Sequence, residues 1–318
     1  MQLSLCPQAL YSLGLDGALA SIRQLGLHAI ELPVDAGSPL VDLDGLLAGE
    51  AEPLLAKLEQ AQIRISALSI HQEGQLLLGP HHEDTDSVCT GSAAEKSAYA
   101  KERMCKAAEL AARMEVATVV GFVGCEDWSR AFPWPDPQGW EKMLPRFRER
   151  MLPILDVYDQ LGVRFAQEPH PKQIVFNTET ALESLEVLDH HPAWAFNLDP
   201  ANLLFAGLDP VVFVQALGDR IVHMHAKDAE FVSHNLPRSG HLAHGPWSRI
   251  DRGFRFRIPG WGDVSWKRLI TELILIGFDG YLAIENEDPV FAPLDGIHKA
   301  IEELTPLLPE GPREDQWW

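Results

Sequence analysis

The stretch AFNLDPANLLFAGLDPVVFVQALGDRIVHMHAKD, residues 195–228, decides the fold. A short apolar run, Ala195–Asp199, closes on an acidic residue and a proline. Pro210–Leu217 then carries a helical pattern, and Ile221–His225 is a second short apolar run that also ends on a polar group. A strand, a helix and a strand in this order form a crossover unit, the connection that parallel neighbours require.

The unit recurs outward in both directions. Strand-like runs occupy Gln2–Cys6, His28–Pro33, Ile63–Ser69, Thr118–Val123, Arg164–Glu168 and Tyr281–Glu285 besides the two already quoted. Helical patterns fall between them at Leu15–Leu25, Leu46–Gln60, Glu95–Met114, Trp140–Leu161, Asn177–Leu188, Val264–Ile276 and Asp295–Leu307. In the first of these, Leu15, Ala18, Leu19, Ile22 and Leu25 share one helix face. Strict alternation argues for a parallel sheet. Eight units in 318 residues argue for an α/β fold of one domain, a single (β/α)8 TIM barrel over residues 1–308, with 309–318 as a C-terminal tail ending in Trp317–Trp318. An open doubly wound sheet would need a glycine-rich turn after an early strand, and Cys6–Gly14 holds one glycine and no GxGxxG. The connections after strands 3 and 7, His71–Ser92 and Asp228–Asp263, are long. Long loops at this end of a barrel are expected to shape its active face.

The 46 acidic residues outnumber the 26 basic ones, for a formal net charge of −20. Such a surface excludes the basic footprint of a nucleic-acid binder, although a few local arginines would still admit a small anion. Four cysteines, Cys6, Cys89, Cys105 and Cys125, show no paired zinc spacing and suit a reducing compartment. The first residues lack a basic region before an apolar core, and no apolar run approaches the roughly 20 residues of a membrane span. A cytoplasmic protein with no membrane or nucleic-acid partner is expected; association into a homo-oligomer is left open.

Strands five to eight end in chemically loaded residues: Gln167-Glu168-Pro169-His170, Asn197-Leu198-Asp199-Pro200, His223-Met224-His225-Ala226-Lys227-Asp228 and Ile284-Glu285-Asn286-Glu287. Side chains alternate along a strand, so Glu168 and His170 share a face, as do His223, His225 and Lys227. Charges that point into a barrel are costly unless paired or metal-bound. Glu168, Asp199, His225 and Glu285, one from each of four strands, form a candidate site for one divalent metal. Three carboxylates and one imidazole favour Mn²⁺, ahead of Mg²⁺, Co²⁺, Fe²⁺ or Zn²⁺. Glu287 and Asp228 lie past their strands and read as structural; His170 and His223 read equally well as substrate contacts and as structural residues.

These motifs, with Phe-Arg-Phe-Arg-Ile-Pro-Gly-Trp-Gly-Asp-Val-Ser-Trp at 254–266, resemble the sugar phosphate isomerase/epimerase superfamily of xylose isomerase-like barrels (AP endonuclease 2 family). The resemblance spans Met1 to about Leu308. It implies that Glu168, Asp199, His225 and Glu285 bind the metal and that Glu168 and Glu285 are catalytic, moving protons on opposite faces of a sugar. Gly124–Trp140 and the long loops look most like members that handle keto-glycosides. Many epimerases of this kind carry a histidine where this chain has Asn202, and an amide cannot relay a proton.

The expected function is a metal-dependent sugar isomerase or epimerase that transfers a proton next to a carbonyl of a keto-sugar or keto-glycoside. A lyase or deglycosidase cleaving a 3-keto-glycoside at the same site is the alternative, and a non-catalytic sugar-binding barrel is the reading of another class. His71, His170, Asn202, His223, Lys227 and Arg257 are the candidate substrate contacts. Lys227 is placed to neutralise an enediolate, and His71 to bond a sugar hydroxyl. One or two of the loop tryptophans (Trp128, Trp134, Trp140, Trp247, Trp261) are candidates for a stacking platform.

Overall fold

The barrel strands follow one two-residue rhythm, with large apolar side chains on one parity and small or polar ones on the other. This computed structural model describes residues 1–247 and 249–311, so the Trp317–Trp318 end of the expected tail lies outside the described residues. The strands are β1 (Gln2–Leu5), β2 (Ala29–Pro33), β3 (Arg64–Ile70), β4 (Thr118–Gly121), β5 (Arg164–Gln167), β6 (Trp194–Leu198), β7 (Ile221–Ala226), β8 (Asp228–Phe231), β9 (Phe254–Arg257) and β10 (Tyr281–Ile284). On β6, Trp194, Phe196 and Leu198 join the main apolar core, which leaves Ala195, Asn197 and Asp199 for the barrel interior. The same parity sends Glu31 inward from β2 and His223 and His225 inward from β7, while Ile30, Leu32 and Met224 pack against the helices.

Eight of these strands close a barrel in the order β1-β10-β7-β6-β5-β4-β3-β2, and every barrel pair is parallel. An eight-stranded barrel is just wide enough for its interior to be filled by side chains. Here small residues fill part of it, with Ala67, Val120 and Ala166 in a cluster of their own. The ladder slips register twice, between Ile30 and Glu31 against β3 and between Phe196 and Asn197 against β7.

The expected helices appear with shifted ends. The helix expected at Leu46–Gln60 begins as regular helix only at Ala51, because Gly49 sits at φ 131° and kinks the turn before it. A short helix not anticipated from the pattern, Pro200–Phe205, starts directly after β6. Both long connections carry structure. The first holds a turn of helix at Gln72–Gln75 and leads to the helix Ala93–Arg113, whose Ser92 and Glu95 form a reciprocal N-terminal cap. The second is an antiparallel ribbon of β8 and β9. The alternation argument missed it because both strands belong to one βα connection. Among the described residues no helix is long and apolar enough to cross a membrane, and all four cysteines are free.

Asp228 anchors the ribbon. Its carboxylate is fully buried and accepts from the backbone N–H groups of Ala229 (2.7 Å), Gly260 (3.0 Å), Gly262 (3.2 Å) and Val264 (3.0 Å) and from Trp266 Nε1 (2.8 Å). Replacing it with alanine strands the buried donors of Ala229, Val264 and Trp266 without a partner. Because an unsatisfied buried donor costs about 1–3 kcal/mol, Asp228→Ala is expected to lower unfolding stability by at least about 3 kcal/mol. Chemical denaturation would read this; a loss below about 1 kcal/mol would show that the ribbon holds without its anchor.

A candidate metal centre at the barrel mouth

The four expected ligands come from strands adjacent in the barrel: β5, β6, β7 and β10. Glu168 and Glu285 follow directly after β5 and β10, Asp199 follows β6, and His225 lies inside β7. All four are buried, and one ligand atom from each lies within 4.8 Å of the others. Local structure aims them. Asp199 is the N-cap of the helix Pro200–Phe205, and its Oδ1 accepts from Ala201 N (2.8 Å) and Asn202 N (3.2 Å). That leaves Oδ2 facing the other ligands. Asn202 Nδ2 bridges Asp199 Oδ2 (2.9 Å) and Glu168 Oε1 (2.7 Å), so this amide ties the two carboxylates together. Glu168 Oε2 takes further contacts from His71 Nε2 (3.1 Å) and Asn197 Nδ2 (3.2 Å).

His225 offers the nitrogen that best fits a cation. Its Nδ1 is buried and makes no hydrogen bond of acceptable geometry, though Glu168 Oε2 lies 3.1 Å away and Glu285 Oε2 3.4 Å. A lone nitrogen among carboxylate oxygens is a donor set that fits one divalent ion. The electrostatics reflect the crowding. Burial pushes Asp199 up to about 7. Burial works the same way on Glu285, but the Lys227 and His225 charges outweigh it and bring Glu285 down to about 2. Glu168 is likewise held well below the carboxylate range, against burial, chiefly by His225 and His71.

Lys227 extends from the end of β7 into this group. Its Nζ lies 2.6 Å from Glu285 Oε2, 2.9 Å from Asp199 Oδ2 and 3.2 Å from Glu287 Oε2, under the ring of Phe256. Above the ligands opens a cavity of about 300 Å³. His71, His170 and Lys227 line it with Glu168 and Glu285. His170 donates Nδ1–H to the Pro171 carbonyl (2.6 Å), which orients its ring beside Phe122. His223 lies deeper, where its Nδ1 donates to Asn197 Oδ1 (2.9 Å) and burial lowers its pKa to about 4, so the ring is neutral. Arg257 is not brought to the cavity: Glu230 (2.6 Å) and Asp288 (2.8 Å) hold its guanidinium. A larger cavity, about 1090 Å³, lies at the opposite end of the barrel beside Gln2, Arg64 and Tyr281, away from every residue named above.

Several site residues escape a reading of strand ends. Gln8, Tyr11, Asp35 and Gln72 line the cavity from the β1, β2 and β3 side. Asp35 accepts from His71 N (2.9 Å) and Glu73 N (3.0 Å), which fixes the loop that presents His71. Glu31 and Asn197 are fully buried in mid-strand. The signal available for Glu31 was a single carboxylate inside the apolar run Ala29-Ile30-Glu31-Leu32-Pro33.

A family model described as xylose isomerase-like TIM barrel matches residues 19–307. The protein YfiH of Bacillus subtilis (strain 168) is 25% identical over an alignment 333 positions long, covering 96% of this chain and 98% of YfiH. Inosose dehydratase of Geobacillus kaustophilus (strain HTA426) is 26% identical over 137 residues, 43% of each chain. Two solved structures share the fold. The IolI protein with a bound zinc atom superimposes with a TM-score of 0.67 at 18% identity, covering 97% of this chain and 98% of that one. L-ribulose 3-epimerase gives a TM-score of 0.67 at 13% identity, covering 96% and 94%. The barrel, its closed parallel order and the match over most of its length together place the chain: it belongs to the xylose isomerase-like TIM barrel family.

Proposed function

We propose that the chain is a divalent-metal-dependent sugar isomerase or epimerase that moves a proton at a carbon next to a carbonyl, on a keto-sugar or keto-glycoside. The observation that carries this reading is the buried cluster of Glu168, Asp199, His225 and Glu285 with ligand atoms within 4.8 Å of one another. Mn²⁺ is the ion we favour for an oxygen-rich set. A relative named inosose dehydratase supports elimination as a second reading, because a group β to the carbonyl can leave once the adjacent proton is gone.

In this reading Glu168, Asp199, His225 and Glu285 would hold the ion, which would supply Lewis-acid polarisation of a substrate carbonyl and so acidify the neighbouring C–H. The chain's own residues do the rest. Glu168 and Glu285 stand on the two outer strands of the ligand arc and border the cavity, where each carboxylate is placed to accept a proton. Asn202, Asn197 and His71 donate hydrogen bonds that fix the Glu168 carboxylate in one orientation. The Lys227 ammonium places a fixed positive charge beside oxygens where negative charge would develop.

Three measurements test the reading. Purified protein is expected to hold about one divalent ion per chain, and Asp199→Ala to lose most of it; equal metal content in both would remove the site. Lys227→Met leaves its carboxylate partners uncompensated. Removing one member of a buried ion pair typically costs about 3–5 kcal/mol, so the metal-free variant should melt well below metal-free wild type, and added Mn²⁺ should narrow the gap. A variant that melts like wild type without metal would show that the ammonium does not neutralise the cluster. Glu168→Gln and Glu285→Gln at saturating metal should each lower turnover by roughly 10²–10⁴-fold. With candidate keto-sugars in D₂O, a two-base epimerase retains solvent exchange at one face in one of these variants. Elimination would instead release product with no exchange-only phase. Near-wild-type turnover in both variants, with metal bound, would refute the proton-transfer roles.

A further inference from the structure

Beneath the four ligands lies a closed ring of buried polar groups. Glu31 Oε2 faces His225 Nε2 at 3.0 Å, and His225 Nδ1 faces Glu168 Oε2 at 3.1 Å. Glu168 Oε2 accepts from Asn197 Nδ2 at 3.2 Å, and Asn197 Oδ1 accepts from His223 Nδ1 at 2.9 Å. His223 Nδ1 returns to within 3.6 Å of Glu31 Oε2. Glu31, Asn197 and His225 expose none of their surface.

Glu31 has no role in the chemistry described so far, and it is expensive. A carboxylate taken fully out of water requires a partner. Among the described residues no lysine or arginine pairs with it, and its Oε1 has no hydrogen-bond partner at all. His223 Nδ1 is already committed to Asn197, so among the described residues the Nε2 of His225, 3.0 Å away, is the nitrogen donor that faces it. The backbone supports the placement. The β2–β3 ladder slips register between Ile30 and Glu31, so that Ile30 faces Ile65 and Glu31 faces Ala67. Such irregularities re-aim a side chain. A second slip, between Phe196 and Asn197, lies at another member of the ring.

An imidazole has two nitrogens, and the bond made by one decides which lone pair the other offers. We propose that Glu31 is the positioning residue of the metal centre: it holds the proton on His225 Nε2, fixes the ring plane and so presents Nδ1 to the ion. The inference rests on the metal site proposed above and adds a fifth residue to it, from a strand on the far side of β1. Glu31 also places a negative charge behind the ligating ring, which strengthens the imidazole as a donor.

The test is metal affinity, read apart from turnover. Titration calorimetry with Mn²⁺ on wild type, Glu31→Gln and Glu31→Asp is the first arm. Loss of a carboxylate that orients a ligating histidine typically weakens binding by about 10–100-fold, so Glu31→Gln should fall in that range and Glu31→Asp should recover part of it. Melting of the metal-free forms separates this from packing. A Glu31→Gln chain that binds Mn²⁺ like wild type, whatever its melting temperature, overturns the proposal. The second arm needs no variant and so survives any failure to fold. Zn²⁺-loaded wild type with ¹⁵N-labelled histidine should show one ligating ring with its proton on Nε2 in long-range ¹H–¹⁵N spectra. A ligating ring protonated on Nδ1 would overturn the inference while leaving the metal site standing. A folded wild type that binds neither ion would overturn both, and Asp199→Ala would then match it.

Discussion

The constraint on which this molecule depends is the mutual repulsion of buried carboxylates. Glu168, Asp199 and Glu285 converge at one mouth of the barrel with Glu31 below them and Glu287 beside them. Like charges at these separations in a poorly solvated site cannot all persist without positive partners. The chain answers in layers: His71 and His225 toward Glu168, Lys227 toward Asp199 and Glu285, and amide donors from Asn197 and Asn202 toward what remains. Even so, Asp199 is driven up to about 7 by burial, and His225 Nδ1 makes no hydrogen bond. Beside the Lys227 ammonium, the three carboxylates and the lone His225 nitrogen together make a donor set that fits a divalent ion.

The barrel is the device that makes such a cluster tolerable. Strand parity sends Trp194, Phe196, Leu198 and Met224 outward into the helical layer, where they supply apolar burial. The inward positions are thereby released from core duty, and small residues such as Ala67, Val120 and Ala166 keep the interior narrow. Polar atoms can then be held by rigid strands rather than by loops, to the tolerance a metal requires. The helix cap at Asp199 and the two register slips are local departures from ideal geometry, and all three lie beside the polar ring.

This explains what could be read in advance. The barrel was legible because β-then-α alternation is a long-range pattern that survives errors of one or two residues at each boundary. The convergence of Glu168, Asp199, His225 and Glu285 was legible because each lies at or beside the C-terminal end of an apolar strand. Glu31 and Asn197 were not, since each lies within a strand and one polar residue in a buried run carries no address until the partner strand is known. The β8–β9 ribbon was hidden for a related reason: its pairing spans a loop, and nothing in Asp228–Phe231 alone announces Phe254–Arg257 as its partner. Arg257 is kept from the cavity by Glu230 and Asp288, partners that a basic residue in a mouth loop does not announce in sequence.

The ribbon also connects the fold to the site. Asp228 follows Lys227 directly, so the carboxylate that gathers the backbone of 260–264 fixes the chain one residue beyond the lysine that crosses the ligand cluster. On the partner strand, Phe256 stacks over the Lys227 ammonium at 4.8 Å while Arg257 is clamped by acids on either side. A long lysine would otherwise sweep many rotamers at considerable entropic cost. Held at its root by Asp228 and roofed by an aromatic ring, it is confined to the few that keep its charge among the carboxylates. The seventh connection therefore helps to set the electrostatics of the carboxylate cluster.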